Sequence, residues 1–288
     1  MPLVPTATII DAAARQRTGV GAFNVIHVEH AEALVAGAQQ SDAPVVLQIS
    51  QNAVRWHGAL EPIAVATLAV ARAATVPVGV HLDHATELDL VAEALALGFG
   101  SVMFDGSPLP WEENLEATAR VVRDAPDGVW VEAELGEIGG KDGVHAPGTR
   151  TDPDEARRFV EATGVHGLAV AVGTSHAMTT RTAKLDLDLI TSLARAVPVP
   201  LVLHGSSGVP DVELRRAIEA GMTKINIATH LNKVFTETVR SALADDPELV
   251  DTRRFLGAAR AAVADEVARL IEVLRTPTPS AAAGGDGS

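Results

Sequence analysis

The sequence predicts an α/β protein built as a single closed (β/α)8 barrel, and three observations predict it. Eight short segments rich in apolar and β-branched residues recur along the chain, and an amphipathic stretch follows each of the first seven. The segments are apolar throughout rather than at alternate positions, as strands of a parallel sheet covered on both faces must be. A length of 288 residues suits one barrel domain without subdivision. An open doubly wound sheet is the alternative, and the absence of a GxGxxG turn after the first segment argues against its nucleotide-binding form.

In order, residues 6–17 place Ile9, Ile10 and Ala13 at helical spacing and predict a leading helix. The strands are predicted at 20–25, 44–50, 77–83, 101–107, 129–136, 167–176, 200–208 and 224–229. Helices are predicted at 30–40, 61–73, 88–97, 112–123, 154–162, 187–196 and 212–220, with helix starts at Ser107 or Pro108 and at Asp211. Two more helices, 231–244 and 254–274, follow the eighth strand, the second carrying Phe255, Leu256, Ala259, Val263, Val267 and Ile271 on one side. The barrel domain is therefore placed at 1–275. The remaining 276–288, made almost entirely of Pro, Gly, Ala and Ser, is expected to be disordered.

Composition narrows the function. With no Cys, a bound metal must rest on nitrogen and oxygen ligands. A net charge of −14, three Trp and no Tyr leave no basic or aromatic platform for nucleic acid. No secretory pattern opens the chain and no apolar run reaches the ~18 residues of a membrane span, so a soluble, cytoplasmic protein is expected. An acidic protein that binds a phosphorylated molecule must do so locally, with backbone N–H groups, a few cations or a metal.

Polar residues gather where the fold wants them. In this barrel the site lies at the C-terminal ends of the strands. Ten His spread at random would leave about one in eight short windows at strand ends, whereas these ends hold His81, His84, His176 and His204. Three neutral imidazoles with an open fourth position make a catalytic zinc arrangement. His81 and His84 compete for one ligand position; His81, a pleat below Asp83, reads as a support and His84 as the ligand. His27, His30, His57, His166 and His230 read as surface or packing residues. Asp83 is the carboxylate best placed for acid–base work. Glu132 and Glu134 share the face taken as the barrel interior, and Asp105 and Glu134 read equally well as supports or as ligands.

The seventh and eighth strands end in HGSSG (204–208) and NIATH (226–230), whose backbone N–H groups, hydroxyls and Asn226 suit a phosphate. GEIGGKDG (136–143) reads as a mobile lid or a plain flexible loop.

HLDH, EAELG followed by GG, GTSH, LHGSSGVP and KINIAT, in this order, resemble the class II metal-dependent ketose-bisphosphate aldolases, with coverage from about Asn24 to Arg253. The resemblance implies one Zn2+ on His84, His176 and His204, with a monovalent cation beside it, Asp83 as the catalytic acid–base, and an alternative inner metal position at Asp105 and Glu134. It implies substrate contacts from Asn24, Ser50, Gly205, Ser207, Asn226 and Thr229, and from Arg253 across the interface of a homodimer or homotetramer. The implied reaction is reversible cleavage of a phosphorylated ketose to dihydroxyacetone phosphate and an aldehyde. Fructose and tagatose bisphosphates are the expected substrates, with a phosphorylated deoxy-keto acid of inositol breakdown as the alternative. Ala177 stands where the family usually has Gly, Thr180 where many members have Lys, and GGKDG where the loop usually reads GGxED, so Lys141 or Asp142 would replace the usual loop acid. A catalytically impaired paralogue that binds metal and sugar phosphate is a second expectation. A metal-dependent hydrolase would want an HxH pair after the first strand, which FNVIH lacks.

Overall fold

The computed structural model describes residues 2–135, 150–174 and 178–275. His176, Ala177, the 136–143 loop with Lys141 and Asp142, and the 276–288 tail lie outside the described residues.

The strands β1 (Val20–Asn24), β2 (Val45–Ser50), β3 (Val78–Ala85), β4 (Ser101–Phe104), β5 (Trp130–Leu135), β6 (Gly167–Val170), β7 (Leu201–Leu203) and β8 (Met222–Ile227) form one closed parallel barrel in sequence order, β8 pairing with β1. The helices are α1 (Thr6–Gln16), α2 (Val28–Gln40), α3 (Gln51–His57), α4 (Glu61–Ala73), α5 (Leu88–Ala96), α6 (Trp111–Asp124), α7 (Pro153–Thr163), α8 (Leu187–Ala196), α9 (Asp211–Ala220), α10 (Thr229–Asp245) and α11 (Thr252–Arg275).

Two apolar clusters show which strand faces look inward. Val78, Val80 and Leu82 of β3 belong to the large shell between strands and helices. Val20, Ala22, Val46, Met103, Trp130, Ala169 and Val202 instead pack with Ile9, Ile10 and Ala13 of α1. The leading helix thus closes the N-terminal end of the barrel. It comes close: a Cβ added to Gly79 of β3 would stand 2.8 Å from Thr6 Oγ1, so glycine is what lets α1 seat. With one end filled by apolar side chains, the inward polar residues are left to the other end, the C-terminal ends of the strands. On the outside, α11 buries Val263, Val267, Leu270, Ile271, Val273 and Leu274 in the outer shell.

Several predicted boundaries need correction. Strand β6 stops at Val170 rather than 176, because Ala171 leaves the ladder to exchange hydrogen bonds with Thr151, its N donating to Thr151 Oγ1 and its O accepting from Thr151 N. Strand β7 stops at Leu203, where Gly205 (φ 67°) turns the chain into a single 3-10 turn at Ser206–Gly208. Helix α6 starts at Trp111, after Pro110; the Ser107 hydroxyl is spent on Asp105. Helix α9 does start at Asp211, as the sequence predicts. Helix α3 was not predicted: among its seven residues only Gln51 and Ala53 are buried, so it has no apolar stripe to read, and Ser50 Oγ starts it by accepting from Ala53 N.

Candidate active site

The inward alternation of the strands delivers the site. From β1 comes Asn24; from β2, Gln48 and Ser50; from β3, His81 and Asp83; from β5, Glu132 and Glu134; from β8, Lys224 and Asn226. Asp105 and His204 follow directly on β4 and β7. All of these except Asn24 and Ser50 are buried.

His84 breaks the alternation. By period two it would follow Leu82 into the outer shell. Instead its backbone is left-handed (φ 51°), and the β3–β4 register shifts between Leu82 and Ala85. This bulge turns His84 inward beside Asp83. Its Nδ1–H faces Asp105 Oδ2 at 3.0 Å, with Glu134 Oε2 3.7 Å away, leaving the Nε2 lone pair toward His204 Nδ1 at 2.7 Å. Asp83 Oδ1 is 4.0 Å from His84 Nε2.

Asp83 is held from two sides. Asn24 Nδ2 donates to Oδ2 (3.3 Å) and Asn226 Nδ2 to Oδ1 (3.4 Å), while Gln48 Nε2 fixes Asn24 by donating to its Oδ1 at 2.7 Å. Burial alone would raise the Asp83 carboxyl, but His84, His204 and Lys224 outweigh it and hold it below the ordinary value. Asp83 is therefore a carboxylate, able to accept a proton. Below it, His81 Nδ1 donates to Ser101 Oγ (2.9 Å), which passes its own proton to Thr6 Oγ1 on α1 (2.8 Å). Burial, followed by the nearby Lys224 ammonium, pushes His81 well below its usual range, so it stands as a neutral support.

The donor set fits a divalent ion. One ligand atom from each of Asp83, His84 and His204 lie within 4.8 Å of one another, as do those of His84, Asp105 and Glu134. Imidazole nitrogens and carboxylate oxygens at that spacing suit zinc or a similar metal. The first group holds two of the three expected zinc ligands together with the expected acid–base residue Asp83, the third ligand, His176, lying outside the described residues; the second joins His84 to the two carboxylates expected at the alternative position.

The expected phosphate contacts border this cluster. Ser207 Oγ accepts from the N–H groups of Ala228 and His230, both at 3.2 Å, which caps α10 and leaves its own proton to donate. Thr229 opens α10, and Gly205 takes the left-handed turn that begins HGSSG. Met178, from the segment after β6, packs so tightly on Gly208 that an added Cβ would meet its Sδ at 2.6 Å. Arg253 stands apart at the start of α11: its side chain is 89 % exposed and forked onto Asp251.

The family model described as fructose-bisphosphate aldolase class-II matches residues 4–277. The chain belongs to the class II fructose-bisphosphate aldolase family. It is therefore a metal-dependent aldolase of that class, whose members act on phosphorylated sugars. It is 38 % identical over 268 residues to the fructose-bisphosphate aldolase of Geobacillus stearothermophilus, covering 91 % of this chain and 93 % of that one. It is 36 % identical over 279 residues to the sulfofructosephosphate aldolase of Alkalicoccus urumqiensis, covering 95 % and 96 %. Its structure matches the crystal structure of the YdjI aldolase from Escherichia coli K12 with a TM-score of 0.83 at 31 % identity, over 94 % of this chain and 97 % of that chain. No helix among the described residues is long and apolar enough to cross a membrane.

Sequence reasoning missed Gln48, Ser101 and Lys224. Each lies on the inward parity of its strand, and a lysine two positions before the inward Asn226 was the signal available for the last.

Proposed function

We propose that this class II aldolase is zinc-dependent and reversibly cleaves a phosphorylated ketose, of the fructose- or tagatose-1,6-bisphosphate kind, to dihydroxyacetone phosphate and an aldehyde. The observation that carries the reading is the convergence of His84 Nε2, His204 Nδ1 and the Asp83 carboxylate in one buried cluster. His84 and His204, with His176, would hold the ion; bound there, it would supply electrophilic polarisation of the substrate carbonyl. Asp105 and Glu134 would serve an inner metal position. Asp83, already ionised and oriented by Asn24 and Asn226, takes the proton from the hydroxyl at the cleaved bond and returns it in the reverse direction.

Ser50 and Asn24 face the substrate from the β1–β2 side. Gly205, Ser207, Asn226 and Thr229 hold the phosphate, with the N-terminal end of α10 adding its dipole. A monovalent cation beside this phosphate belongs to the same proposal. Arg253, exposed in one subunit, would reach the distal phosphate in a neighbouring subunit of a homodimer or homotetramer.

The test is a panel of phosphorylated ketoses assayed for dihydroxyacetone phosphate release with and without a chelator. The panel includes a 6-sulfo ketose phosphate, because the sulfofructosephosphate relative is nearly as similar as the fructose-bisphosphate one, and a phosphorylated deoxy-keto acid. Full turnover after metal removal would overturn the reading.

A further inference from the structure

The turn read above as the phosphate grip, HGSSG, is held from outside by an arginine that the substrate chemistry does not use. Arg181 lies between β6 and α8, and its guanidinium forks onto one backbone oxygen: Nε and Nη2 donate to Val209 O at 2.9 and 2.6 Å. Val209 is fully buried and directly follows HGSSG, and its N–H closes the 3-10 turn by donating to Ser206 O at 2.9 Å. One backbone group of Val209 is thus fixed by the turn and the other by the arginine. Two further contacts seat the same segment on the turn: Ala183 N donates to Gly208 O at 2.9 Å, and Met178 packs on Gly208.

The guanidinium is itself held. Arg181 Nη2 lies 2.6 Å from Asp211 Oδ1 at the start of α9, and Asp211 Oδ2 accepts from Arg269 of α11. Arg269 donates to both oxygens of Glu266, which also accepts from His230 Nε2 at 2.6 Å. The backbone N–H of His230 then returns to Ser207 Oγ. Five side chains therefore run from Val209 O round to Ser207, beginning and ending on the same turn. Isolated ion pairs near the surface contribute little to stability. A closed run of them fixes geometry instead, and a turn already in its binding shape loses less free energy to ordering when the ligand arrives.

We propose that Arg181 is a positioning residue for phosphate recognition: its fork on Val209 O, steadied by Asp211, holds HGSSG in the shape in which the turn and Ser207 meet a phosphate. The inference rests on the reading of HGSSG as the phosphate turn. It gives a function to an arginine that touches no substrate. The fork, rather than the charge, is what acts, because a lysine ammonium in its place keeps the charge but lacks the planar set of donors.

The experiment uses the zinc-loaded full chain and inorganic phosphate as the probe, its affinity read by calorimetry, with zinc content and steady-state kinetics on the phosphorylated ketose measured in parallel. Arg181→Met should bind phosphate about 3- to 30-fold more weakly, the range for a residue that acts on a site through its packed and hydrogen-bonded neighbours. Zinc content should stay unchanged, and KM should rise more than kcat falls. Arg181→Lys should resemble Arg181→Met. Arg216→Met, which breaks an exposed ion pair with Glu213 on α9, should resemble wild type.

An Arg181→Lys protein with wild-type phosphate affinity overturns the proposal, since charge alone would then suffice, and it decides the matter even if Arg181→Met fails to fold. Zinc lost in step with phosphate overturns it as well, because Arg181 would then support the fold at large. Full phosphate affinity in Arg181→Met, beside weakened binding in Ser207→Ala, removes the role of Arg181 and leaves the phosphate turn standing. Full affinity in both Ser207→Ala and Asn226→Ala means that the reading of the turn has failed, and the proposal falls with it.

Discussion

His84 Nε2 and His204 Nδ1 lie 2.7 Å apart although 120 residues separate them. Each ring is oriented from behind by a carboxylate, Asp105 for one and Glu132 for the other. The pair should therefore behave as one unit toward metal. His84→Ala is expected to lower zinc affinity more than about 100-fold, beyond the loss typical of a supporting residue, with the circular dichroism spectrum unchanged. Retained zinc in both His84→Ala and His204→Ala, measured by atomic absorption after dialysis, would sink the assignment.

Asp83 makes the opposite prediction. Asp83→Asn keeps the shape and one of the two bonds from Asn24 and Asn226 but cannot take a proton, so kcat should fall about 10²–10⁴-fold with zinc content intact. Zinc loss in step with activity would instead make Asp83 a ligand.

Ser207 joins the phosphate turn to helix α10 through the N–H groups of Ala228 and His230. Ser207→Ala should cost about 1 kcal/mol of stability, the usual value of a helix cap, and raise KM for the phosphorylated ketose more than it lowers kcat. Steady-state kinetics beside a denaturant melt separate the two effects.

Acid stability should depend on His30. Burial, with a smaller contribution from His27 stacked 4.0 Å away, lowers its pKa from 6.5 to about 3. Between these values the unfolded chain holds a proton that the folded chain does not, so stability falls as pH drops from 6.5 toward 3. His30→Phe removes that term. Its stability should fall less steeply, by about 1.4 kcal/mol per pH unit in the middle of the window. Parallel slopes for the two proteins in denaturant titrations would refute this.

Glu266 has the same sign through a different cause. Burial would raise its carboxyl, but hydrogen bonds from Arg269 and His230 overcome that and hold it at about 2 against an ordinary 4.5. The His230 bond ties α11 to the first turn of α10, the helix Ser207 caps, while the Arg269 bonds lie within α11. A depressed carboxylate stabilises the fold above its unfolded value and loses that contribution as pH falls through the folded one. Glu266→Gln should lose on the order of 1–2 kcal/mol at neutral pH once solvent screening is discounted. The deficit should shrink as pH falls below 4.5 toward 2.

What was legible in the sequence was whatever has a period. Eight apolar runs announced the barrel, and parity placed Glu132 and Glu134 inside it. His84 was legible only as a residue type at a strand end, because the bulge that turns it inward leaves no trace in hydrophobic pattern. Helix α3 was missed because its start depends on one hydroxyl rather than an apolar stripe. Strand β6 was read too long because Val172 is buried as deeply as the paired strand, although the chain has already left the ladder for Thr151. Lys224 was missed because hydrophobic pattern alone cannot reveal that a lysine's partner, Glu132, lies across the barrel 92 positions away.

The left-handed backbone at His84 also bears on redesign. A residue with φ near 51° is replaced at little conformational cost by Asn, Asp or Gly, and at high cost by Val, Ile or Thr. A library aimed at changing metal preference therefore begins from a short list. Aspartate at position 84 keeps the bulge and offers a harder oxygen donor in one step, biased toward ions such as Mn2+ or Mg2+. A β-branched residue would straighten the strand and turn Asp83 with it, so ligand and acid–base group are inherited together.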